Sequence, residues 1–575
     1  MTIKRISLAI TLAVIAGFAE ASAVAANSSV HQASAVAARP QVTQAAAFDS
    51  SSAVRDLPSA PAAAAPSTAD AQEVQSERGP SANDGTFQGE GNRQDSQGNN
   101  QGLNPLLTFE GLNNLDNAGF LGHGWTPPDP VGAVGPNHYV EMVNTVFAVY
   151  DKKGTRLIGP FLLSSLWQGF AVTGCNDNSG DPVVLYDRRA DRWIMTQFTD
   201  PNKTPIYNCV AISKTSDPTG AYFRYAFSWG DFFPDYPKYS VWTNGYLLTS
   251  RDFGPTTEYG ITVASLERQK MIKGDPGARM VRFFLDSAVV PIYLMGDGLL
   301  PADIDGWSQP DEGAPAPIVG TMNATGQYGA PFDALNVFEL SVDWQSPEDA
   351  SFGLATQLPV AQFTSKFPCT TPPTVPPSSQ TRSCIPQPGT TRKIDILSYR
   401  QRPTFRLAYR NFGGYEAMVT NQSVQATPGM AGVRWYEIRR RNGQYSLFQQ
   451  GTYAPADGVH RWMGSIAMDR KGDIGLGYSV SNATTVYPGI RFTGRLKRDA
   501  LGQMTLGEGV IIDGTGSQTT RNSRWGDYST MTIDPTDDCT FWYVNEYVQT
   551  TGVSPWQTRV GSFRLPGCAS GGGQQ

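Results

Sequence analysis

Residues 524–547 read RWGDYSTMTIDPTDDCTFWYVNEY and hold two predicted strands with a turn between them. Residues 529–533 alternate small or polar with apolar side chains, 534–538 are acidic turn residues, and 540–543 are aromatic and β-prone. A variant occurs earlier at 460–480, HRWMGSIAMDRKGDIGLGYSV. Both copies start around Arg-Trp, pass through a strand to an aspartate, turn, and resume as a strand. Such a repeat predicts a repeating all-β architecture.

The same pattern of strand and turn begins repeatedly along the chain. The predicted openings are Asp129, Asp181, Pro237, Pro301, Tyr415, Arg461 and Trp525. Units of roughly 50 residues with four strands each are typical of propeller blades. The pattern therefore predicts an all-β fold, a β-propeller of seven four-stranded blades. A pair of β-sandwiches is the alternative, but it does not predict a recurring opening.

Composition limits the function classes. The chain has 575 residues with 59 Gly and 41 Pro, which favours many short strands and turns. Its net charge of −6 gives no electrostatic support for binding nucleic acid. With only four His, a multi-histidine metal centre is not expected.

The chain divides into segments of different composition. Residues 1–26 have the basic, apolar and A-x-A parts of a signal peptide, and no later run is long enough to span a membrane. Residues 27–103, rich in Ala, Ser, Pro, Gln and Gly, are predicted to be a disordered spacer. Residues 104–568 form the predicted propeller, with a Pro-rich, disulfide-bracketed loop at 364–393, and 569–575 a flexible tail. We expect a secreted monomer, located outside the cell, on its surface or in the periplasm.

All six cysteines lie in the predicted propeller, which fits an oxidising compartment. Of the possible connectivities, pairing of sequence neighbours is favoured. It gives the disulfides Cys175–Cys209, Cys369–Cys384 and Cys539–Cys568.

Six motifs together resemble a known family. They are PPDPVGAVGPNHYVEMVN (127–144), DPVVLYDRRADRWIMTQF (181–198), YPKYSVWTNGYLLTS (236–250), RLAYRNFGGYEAMVTN (406–421), VHRWMGSIAMDRKGDIGLGYS (459–479) and the stretch at 524–547. The chain resembles secreted bacterial β-propeller proteins of unassigned reaction, related in architecture to sialidase-like (BNR/Asp-box) propellers. The resemblance covers roughly residues 105–568. It implies the fold and says little about chemistry, because Asp-boxes are structural turns.

In a propeller, the loops that open the inner strands converge at one end of the channel. We therefore expect the following residues to face one another there: Asp129, Asp181, Lys238, Asp303, Glu416, Arg461 and Arg524. In a glycan site, Asp527, Glu416 and Asp129 would supply acid/base catalysis. Arg410, Arg461, Arg524, Lys238 and His460 would bind the ligand. A sialidase would use the three arginines on one carboxylate, with Tyr415 and Glu416 as nucleophile pair. The alternative is architectural: each Arg-Trp packs between blades, with its Arg paired to an Asp of a neighbouring blade.

Two further sites are less specific. His460 would carry a proton near neutral pH, or act as a hydrogen-bonding cap. The oxygen-rich loop at 176–181 offers Asp177, Asn178 and Asp181 as ligands for Ca²⁺, although these are also ordinary turn residues.

These residues predict a protein that recognises an extracellular glycan. A stronger version of the prediction is that the protein also hydrolyses this glycan, as a sialidase-like glycoside hydrolase. The alternative is a non-catalytic scaffold that binds protein partners at the cell surface. The arrangement at the channel end discriminates between them, because paired carboxylates beside arginines favour the enzyme.

Overall fold

The computed structural model describes residues 39–57, 72–73, 86–99, 102–256, 258–369, 382–396 and 401–568. The predicted signal peptide and the predicted tail lie outside these residues. The fold is all-β, with short helices α1 (Asn114–Leu121), α2 (Arg268–Lys273) and α3 (Ile292–Met295). No helix in the described part of the chain is long and apolar enough to cross a membrane.

Within the described residues, six strands precede the repeating part. They are β1 (Gln41–Gln44), β2 (Ala47–Ser50), β3 (Gln72–Glu73), β4 (Arg93–Gln94), β5 (Leu107–Asn113) and β6 (Trp125–Thr126).

The remaining strands form successive antiparallel runs in chain order. The first is β7 (Val131–Val134), β8 (His138–Val143), β9 (Val146–Asp151) and β10 (Arg156–Leu162); the second is β11 (Val183–Asp187), β12 (Arg192–Phe198), β13 (Ile206–Ser213) and β14 (Tyr222–Gly230). The third is β15 (Phe233–Val241), β16 (Gly245–Phe253), β17 (Tyr259–Glu267) and β18 (Arg279–Asp286); the fourth is β19 (Leu300–Ile304), β20 (Ala316–Met322), β21 (Ala334–Ser341) and β22 (Ser351–Pro359). The fifth is β23 (Thr404–Asn411), β24 (Glu416–Thr427), β25 (Met430–Arg441) and β26 (Gln444–Tyr453); the sixth is β27 (His460–Met468), β28 (Ile474–Ser481), β29 (Tyr487–Arg495) and β30 (Glu508–Gly514). The last is β31 (Thr530–Ile533), β32 (Thr540–Val548) and β33 (Trp556–Arg564), and β5 adds its fourth strand.

The first strands of the runs close a ring. Each of β7, β11, β15, β19, β23 and β27 contacts the first strand of the following run, and β31 contacts both β27 and β7. Between β19 and β23 the contact is a parallel pairing. Such a ring of antiparallel runs is the arrangement of a β-propeller, as the repeat predicts.

The sheets are buried on both faces because each packs between its neighbours in the ring. Every residue of β16, β17, β28 and β32 is buried, so these strands carry apolar side chains on both faces. Between the last two runs, the rings of Phe492 and Phe563 stack with centroids 4.0 Å apart. This dual burial explains the density of aromatic residues.

One predicted opening is wrong. Tyr415 lies in the turn between β23 and β24, and the run begins at Thr404. The turn at Gly413 and Gly414 resembles an opening in sequence, but here it joins the first strand to the second.

The predicted disordered spacer is also wrong in part. Residues 39–57 run along the rim, where β1 pairs with β18 and β2 with β14. The Phe48 ring lies 4.9 Å from that of Tyr225, and Asp49 pairs with Arg224 at 2.6 Å. Strand addition relies on main-chain hydrogen bonds, so low average hydrophobicity does not prevent it. Residues 86–99 likewise pack along the fifth run through β4. Residues 72–73 form β3, which pairs with β6, and the rest of the predicted spacer up to residue 101 lies outside the described residues.

The three predicted disulfides, Cys175–Cys209, Cys369–Cys384 and Cys539–Cys568, are confirmed. The Pro-rich loop is described at 364–369 and 382–393. Part of it is buried rather than exposed: the Gln387 amide donates to the Gln518 carbonyl at 3.0 Å. Just beyond the loop, the Asp395 N–H donates to the Ser523 carbonyl at 2.9 Å. These contacts place the segment beside the connection that leads into β31.

Candidate functional site

Three successive runs carry the same backbone feature where the first strand begins. Asp129, Asp181 and Tyr236 each precede a proline and have φ of 49°, 43° and 54°. Met463, near the start of the sixth run, has φ of 48°. Positive φ is uncommon for residues other than glycine, and most uncommon for bulky ones. Its recurrence at one position of the repeat indicates a local constraint with a function.

Side chains from runs that are not neighbours in the ring meet beside these positions. The Asp527 N–H donates to Asp129 Oδ1 at 2.6 Å. The Tyr528 hydroxyl lies 3.1 Å from Asp181 Oδ2 in the second run and 3.1 Å from the Pro237 carbonyl in the third. Because the last run reaches the second and third runs only across the ring, this meeting point lies on the axis. We call the group the axial cluster; its members are Asp129, Asp181, Tyr236, Lys238, Arg402, Arg524, Asp527, Tyr528 and Glu546.

Lys238 lies at the centre of the axial cluster. Its Nζ is 3.1 Å from the ring centroid of Tyr236 and 3.2 Å from that of Tyr528. Arg402 covers the Tyr236 ring, with Cζ 3.5 Å from the centroid. Burial and then the nearby Arg402 lower the pKa of Lys238 well below its ordinary value, against the pull of Asp181 and Asp527. In the described structure, Lys238 Nζ has no hydrogen-bond partner.

Three carboxyl groups of the cluster, those of Asp129, Asp181 and Glu546, hold their protons more strongly than ordinary ones. Burial, followed by the charges of Asp527 and Asp181, raises the pKa of Asp129 well above its usual range. Burial and then Asp235 raise the pKa of Asp181 to about 7. Burial likewise raises the pKa of Glu546. These carboxyl groups can therefore act as proton donors near neutral pH.

Two carboxylate oxygens in the cluster are left without hydrogen bonds. Arg524 pairs with Asp527 Oδ2 at 3.0 Å, and the Gly526 N–H donates to Glu546 Oε1. Within the described structure, Asp527 Oδ1 and Glu546 Oε2 are buried and have no partner. Together with Lys238 Nζ, they make three buried polar atoms without partners in one cluster. Because such atoms are costly to bury, this arrangement indicates a polar ligand or water.

Gly526 permits this close packing. A Cβ at this position would lie 2.8 Å from Glu546 Oε1 and 3.0 Å from Pro130 Cδ, so a larger residue would displace the Glu546 carboxyl. The Gly526-Asp527-Tyr528 segment is also the main difference between the two Arg-Trp copies, which read RWGDYS and RWMGS. In the last run, the additional length places Asp527 and Tyr528 on the axis.

Five predicted site residues meet in the axial cluster: Asp129, Asp181, Lys238, Arg524 and Asp527. The structure does not bring the others there.

Asp303 and Arg410 lie at the opposite end of the axis, where the first strands finish. Arg406 pairs with Asp303 at 2.6 Å and with Asp305 at 2.7 Å. Arg410 and Arg188 share Asp538, at 2.8 and 2.9 Å. We call these residues the distal network; its members are Arg188, Asp303, Asp305, Arg406, Arg410 and Asp538. The expected position of Asp303 is wrong because it stands near the end of β19 rather than before its start.

Glu416 and Arg461 are both engaged elsewhere. Glu416 accepts a 2.6 Å hydrogen bond from the Tyr409 hydroxyl, at the tip of the hairpin between β23 and β24. Arg461 is fully buried and pairs with Asp457 and Glu508, each at 2.7 Å. Glu508 lies in β30 of the same run and Asp457 lies just before β27, so Arg461 does not make the expected pair with a neighbouring blade's Asp. The Trp462 and Trp525 rings, from the two copies of the motif, pack with centroids 5.5 Å apart.

His460 is buried, and its Nδ1 accepts a hydrogen bond from the Ala431 N–H at 3.3 Å. Burial, followed by the charges of Lys393 and Arg461, lowers the pKa of His460 to about 4. It is therefore neutral near pH 7, and its contacts match the hydrogen-bonding cap.

The residues proposed for Ca²⁺ contact different partners. Asp177 pairs with Lys203 at 3.0 Å, Asn178 accepts from the Ser164 N–H at 2.9 Å, and Asp181 belongs to the axial cluster. Among the described residues, no group of three or more His, Cys, Asp or Glu side chains has the arrangement of a metal site.

Four members of the axial cluster were missed from the sequence: Tyr236, Arg402, Tyr528 and Glu546. Tyr528 and Glu546 lie inside the 524–547 stretch, and Tyr236 begins the YPKY motif. The closeness of these three residues in sequence to predicted site residues was the signal that could have identified them. Arg402 follows the Pro-rich loop, and no pattern there indicates a site.

No family model matches this chain, and neither does any curated protein. Solved structures with a similar chain path include the endo-arabinase from Bacteroides thetaiotaomicron VPI-5482, at 13% identity over 56% of this chain and 95% of that chain, with a TM-score of 0.27. A second is the GH93 alpha-L-arabinofuranosidase of Fusarium graminearum in complex with arabinobiose, at 9% identity over 58% and 99%, with a TM-score of 0.26. A third is the Trypanosoma rangeli sialidase in complex with the inhibitor DANA, at 8% identity over 66% and 54%, with a TM-score of 0.29. Similarity at this level does not identify equivalent residues.

Proposed function

We propose that this protein is a seven-bladed β-propeller that recognises a neutral glycan at the axial cluster. One observation carries the proposal: three buried polar atoms, Lys238 Nζ, Asp527 Oδ1 and Glu546 Oε2, lack hydrogen-bond partners in the described structure. A ligand that supplies both donors and acceptors would satisfy them. Sugar hydroxyls do both.

The charge balance favours a neutral rather than an anionic sugar. Among the described residues, the cluster has four carboxyl groups and three basic groups. Arg524 is paired with Asp527, while Arg410 and Arg461 bind carboxylates elsewhere. The three-arginine clamp that a sialic acid carboxylate would require is therefore not supported.

The blade count and the location are parts of the same proposal. Counting each antiparallel run as a blade gives seven, and the ring of first strands supports this count. The three disulfides and the predicted signal peptide support an extracellular or periplasmic location.

Hydrolysis of a glycosidic bond is a second candidate function of the same cluster. The observation that favours it is the pKa of Asp181, raised to about 7 by burial and then Asp235. A protonated Asp181 would donate its proton to the leaving glycosidic oxygen, and Asp527 would accept a proton from the attacking water. The anomeric carbon would thus exchange its bond to the leaving oxygen for one to the water oxygen.

A glycan-array screen of the full chain tests recognition. We expect the wild type to bind neutral glycans, and Lys238→Met and Asp527→Asn to lose binding by about tenfold or more. Both substitutions preserve side-chain size, and Lys203→Met on the exposed surface is the matched control. Binding to no glycan, or unchanged binding by both axial variants, would contradict the proposal and favour the protein-binding scaffold.

Release of reducing ends from the glycans that bind then tests hydrolysis. We expect Asp181→Asn to abolish release while binding remains, because the amide cannot donate the proton in the same way. Binding without any release by the wild type would restrict the protein to recognition.

A further inference from the structure

Trp307 stands out at the distal end of the axis. It lies in the connection between β19 and β20 and is 60% exposed, whereas the other tryptophans of the described structure are buried or partly buried. Tryptophan is enriched at interfaces, where its large ring packs against a ligand or partner.

The indole is held firmly despite its exposure. The Arg188 guanidinium lies against it, with Cζ 4.5 Å from the ring centroid. Arg188 is itself fixed by Asp538 at 2.9 Å and by the Pro535 carbonyl at 2.6 Å. Arg189 donates to the Trp307 carbonyl at 3.0 Å. The ring therefore has little conformational entropy left to lose when a ligand binds.

Polar groups surround the Trp307 ring. A cavity of roughly 40 Å³ beside it is lined in part by Arg188, Asp305 and Arg406 of the distal network. Further along the same connection, an open groove of roughly 400 Å³ is lined in part by Asp311, Asn411 and Arg440. Arg188 and Gln309 line a further small cavity, and the Asn411 amide of the groove donates to the Gln309 carbonyl at 2.6 Å.

We propose that this distal end is a second carbohydrate-binding site, in which Trp307 stacks against one sugar of a neutral oligosaccharide and the groove binds the next ones. A single rigid aromatic ring among polar groups suits a sugar, which has an apolar face and a hydroxylated rim. A protein partner would instead be expected to cover a contiguous apolar patch. The charges are paired, since Arg406 binds Asp303 and Asp305, so no surplus attracts an anionic chain. The site uses no residue of the axial cluster and is independent of the function proposed there.

Fluorine NMR of the full chain labelled with fluorotryptophan provides a local test. The resonance missing from Trp307→Phe identifies Trp307. We expect it to shift on titration with cellohexaose, xylohexaose or mannohexaose, because the sugar would cover the exposed face of the indole. We also expect the shift to persist in Asp527→Asn, which separates this site from the axial one.

Affinity measured with the hexasaccharide that produces the shift completes the test. Trp307→Ala should bind about tenfold more weakly or worse, as for truncation of a central aromatic anchor. Leu501→Ala, at an exposed apolar residue on another connection, is the control and should bind as the wild type does. The proposal is overturned if no hexasaccharide shifts the resonance, if Trp307→Ala keeps its affinity, or if only a sulfated polysaccharide binds.

Discussion

The two ends of the ring axis gather the same kinds of residue and use them differently. At the distal end, the guanidinium groups of Arg188, Arg406 and Arg410 each bind a carboxylate. At the other end, Lys238 has no hydrogen bond and Asp527 leaves one oxygen unpaired in the described structure. Paired charges in a repeat hold neighbouring blades together, whereas unpaired ones lower stability unless a ligand uses them.

The aspartates at the two ends also differ in the direction in which their pKa values are shifted. At the distal end, burial opposes ionisation of Asp538, but Arg410 and Arg188 outweigh it and hold its pKa below the ordinary value. At the axial cluster, burial followed by Asp235 raises the pKa of Asp181 to about 7. One end therefore favours the charged form of its aspartate, and the other the neutral form.

The largest expected difference in the free energy of unfolding comes from replacing one basic residue at each end of the axis by methionine. Arg406→Met should lower the free energy of unfolding by about 3–5 kcal/mol, because Asp303 and Asp305 would be left buried without their partner. Lys238→Met should change it by less than about 1 kcal/mol, because the buried amine has no hydrogen bond to lose. Urea denaturation of both variants and the wild type measures the difference.

An exposed pair provides the reference for this experiment. Arg55 and Asp217 pair at 3.2 Å with both side chains about half exposed, so Arg55→Met should cost less than about 1 kcal/mol. If Lys238→Met proved as destabilising as Arg406→Met, the contrast between the two ends would be lost, and Lys238 would be a structural residue.

A pH series gives the next largest effect. Because the pKa of Asp181 is raised to about 7, its contribution to stability is present below the ordinary value and is lost as pH rises through about 7. In the wild type, the free energy of unfolding should fall by about 3 kcal/mol between pH 5 and pH 8 through this group, and Asp181→Asn should remove that fall. Urea denaturation at several pH values measures this.

Asp538→Asn is the counterpart at the distal end. The lowered pKa of Asp538 means that its contribution is present above the ordinary value and is lost as pH falls through the folded value. The variant should therefore be destabilised relative to the wild type throughout the neutral range, and the difference should shrink at acid pH, where the wild type loses the same contribution. A parallel response of the two variants to pH would refute the assignment of opposite roles.

The sequence predicted the strands and turns of this protein better than the positions of its charges. Strand alternation and turn residues are local, and they predicted the repeat. Whether an arginine reaches the axis depends on where the chain places it relative to the first strand of its run: Arg461 lies within β27, whereas Arg524 precedes β31. Arg461 and Arg524 occupy equivalent places in the motif, but only Arg524 reaches the axial cluster.

The errors have specific physical causes. Asp303 stands three residues into β19 and therefore lies at the distal end, which the opening pattern alone does not show. Residues 39–57 have a composition typical of disorder, but the edges of β14 and β18 supply partners that no local pattern reveals. Arg402 enters the site through a cation–π contact with Tyr236, a long-range pairing without any periodic pattern.

The smallest expected effect concerns His460, which belongs to neither end of the axis. Burial, followed by Lys393 and Arg461, lowers its pKa to about 4, so it stays neutral in the fold while the unfolded chain takes up a proton as pH falls below the ordinary value. Its contribution to stability is therefore present at neutral pH and declines towards acid pH, opposite in direction to that of Asp181. His460→Gln should remove a loss of about 2 kcal/mol between pH 7 and pH 5. Urea denaturation at these two pH values measures it, and glycan binding by this variant should keep the wild-type pH profile. A changed binding profile would show that His460, rather than the axial carboxyl groups, titrates in the functional range.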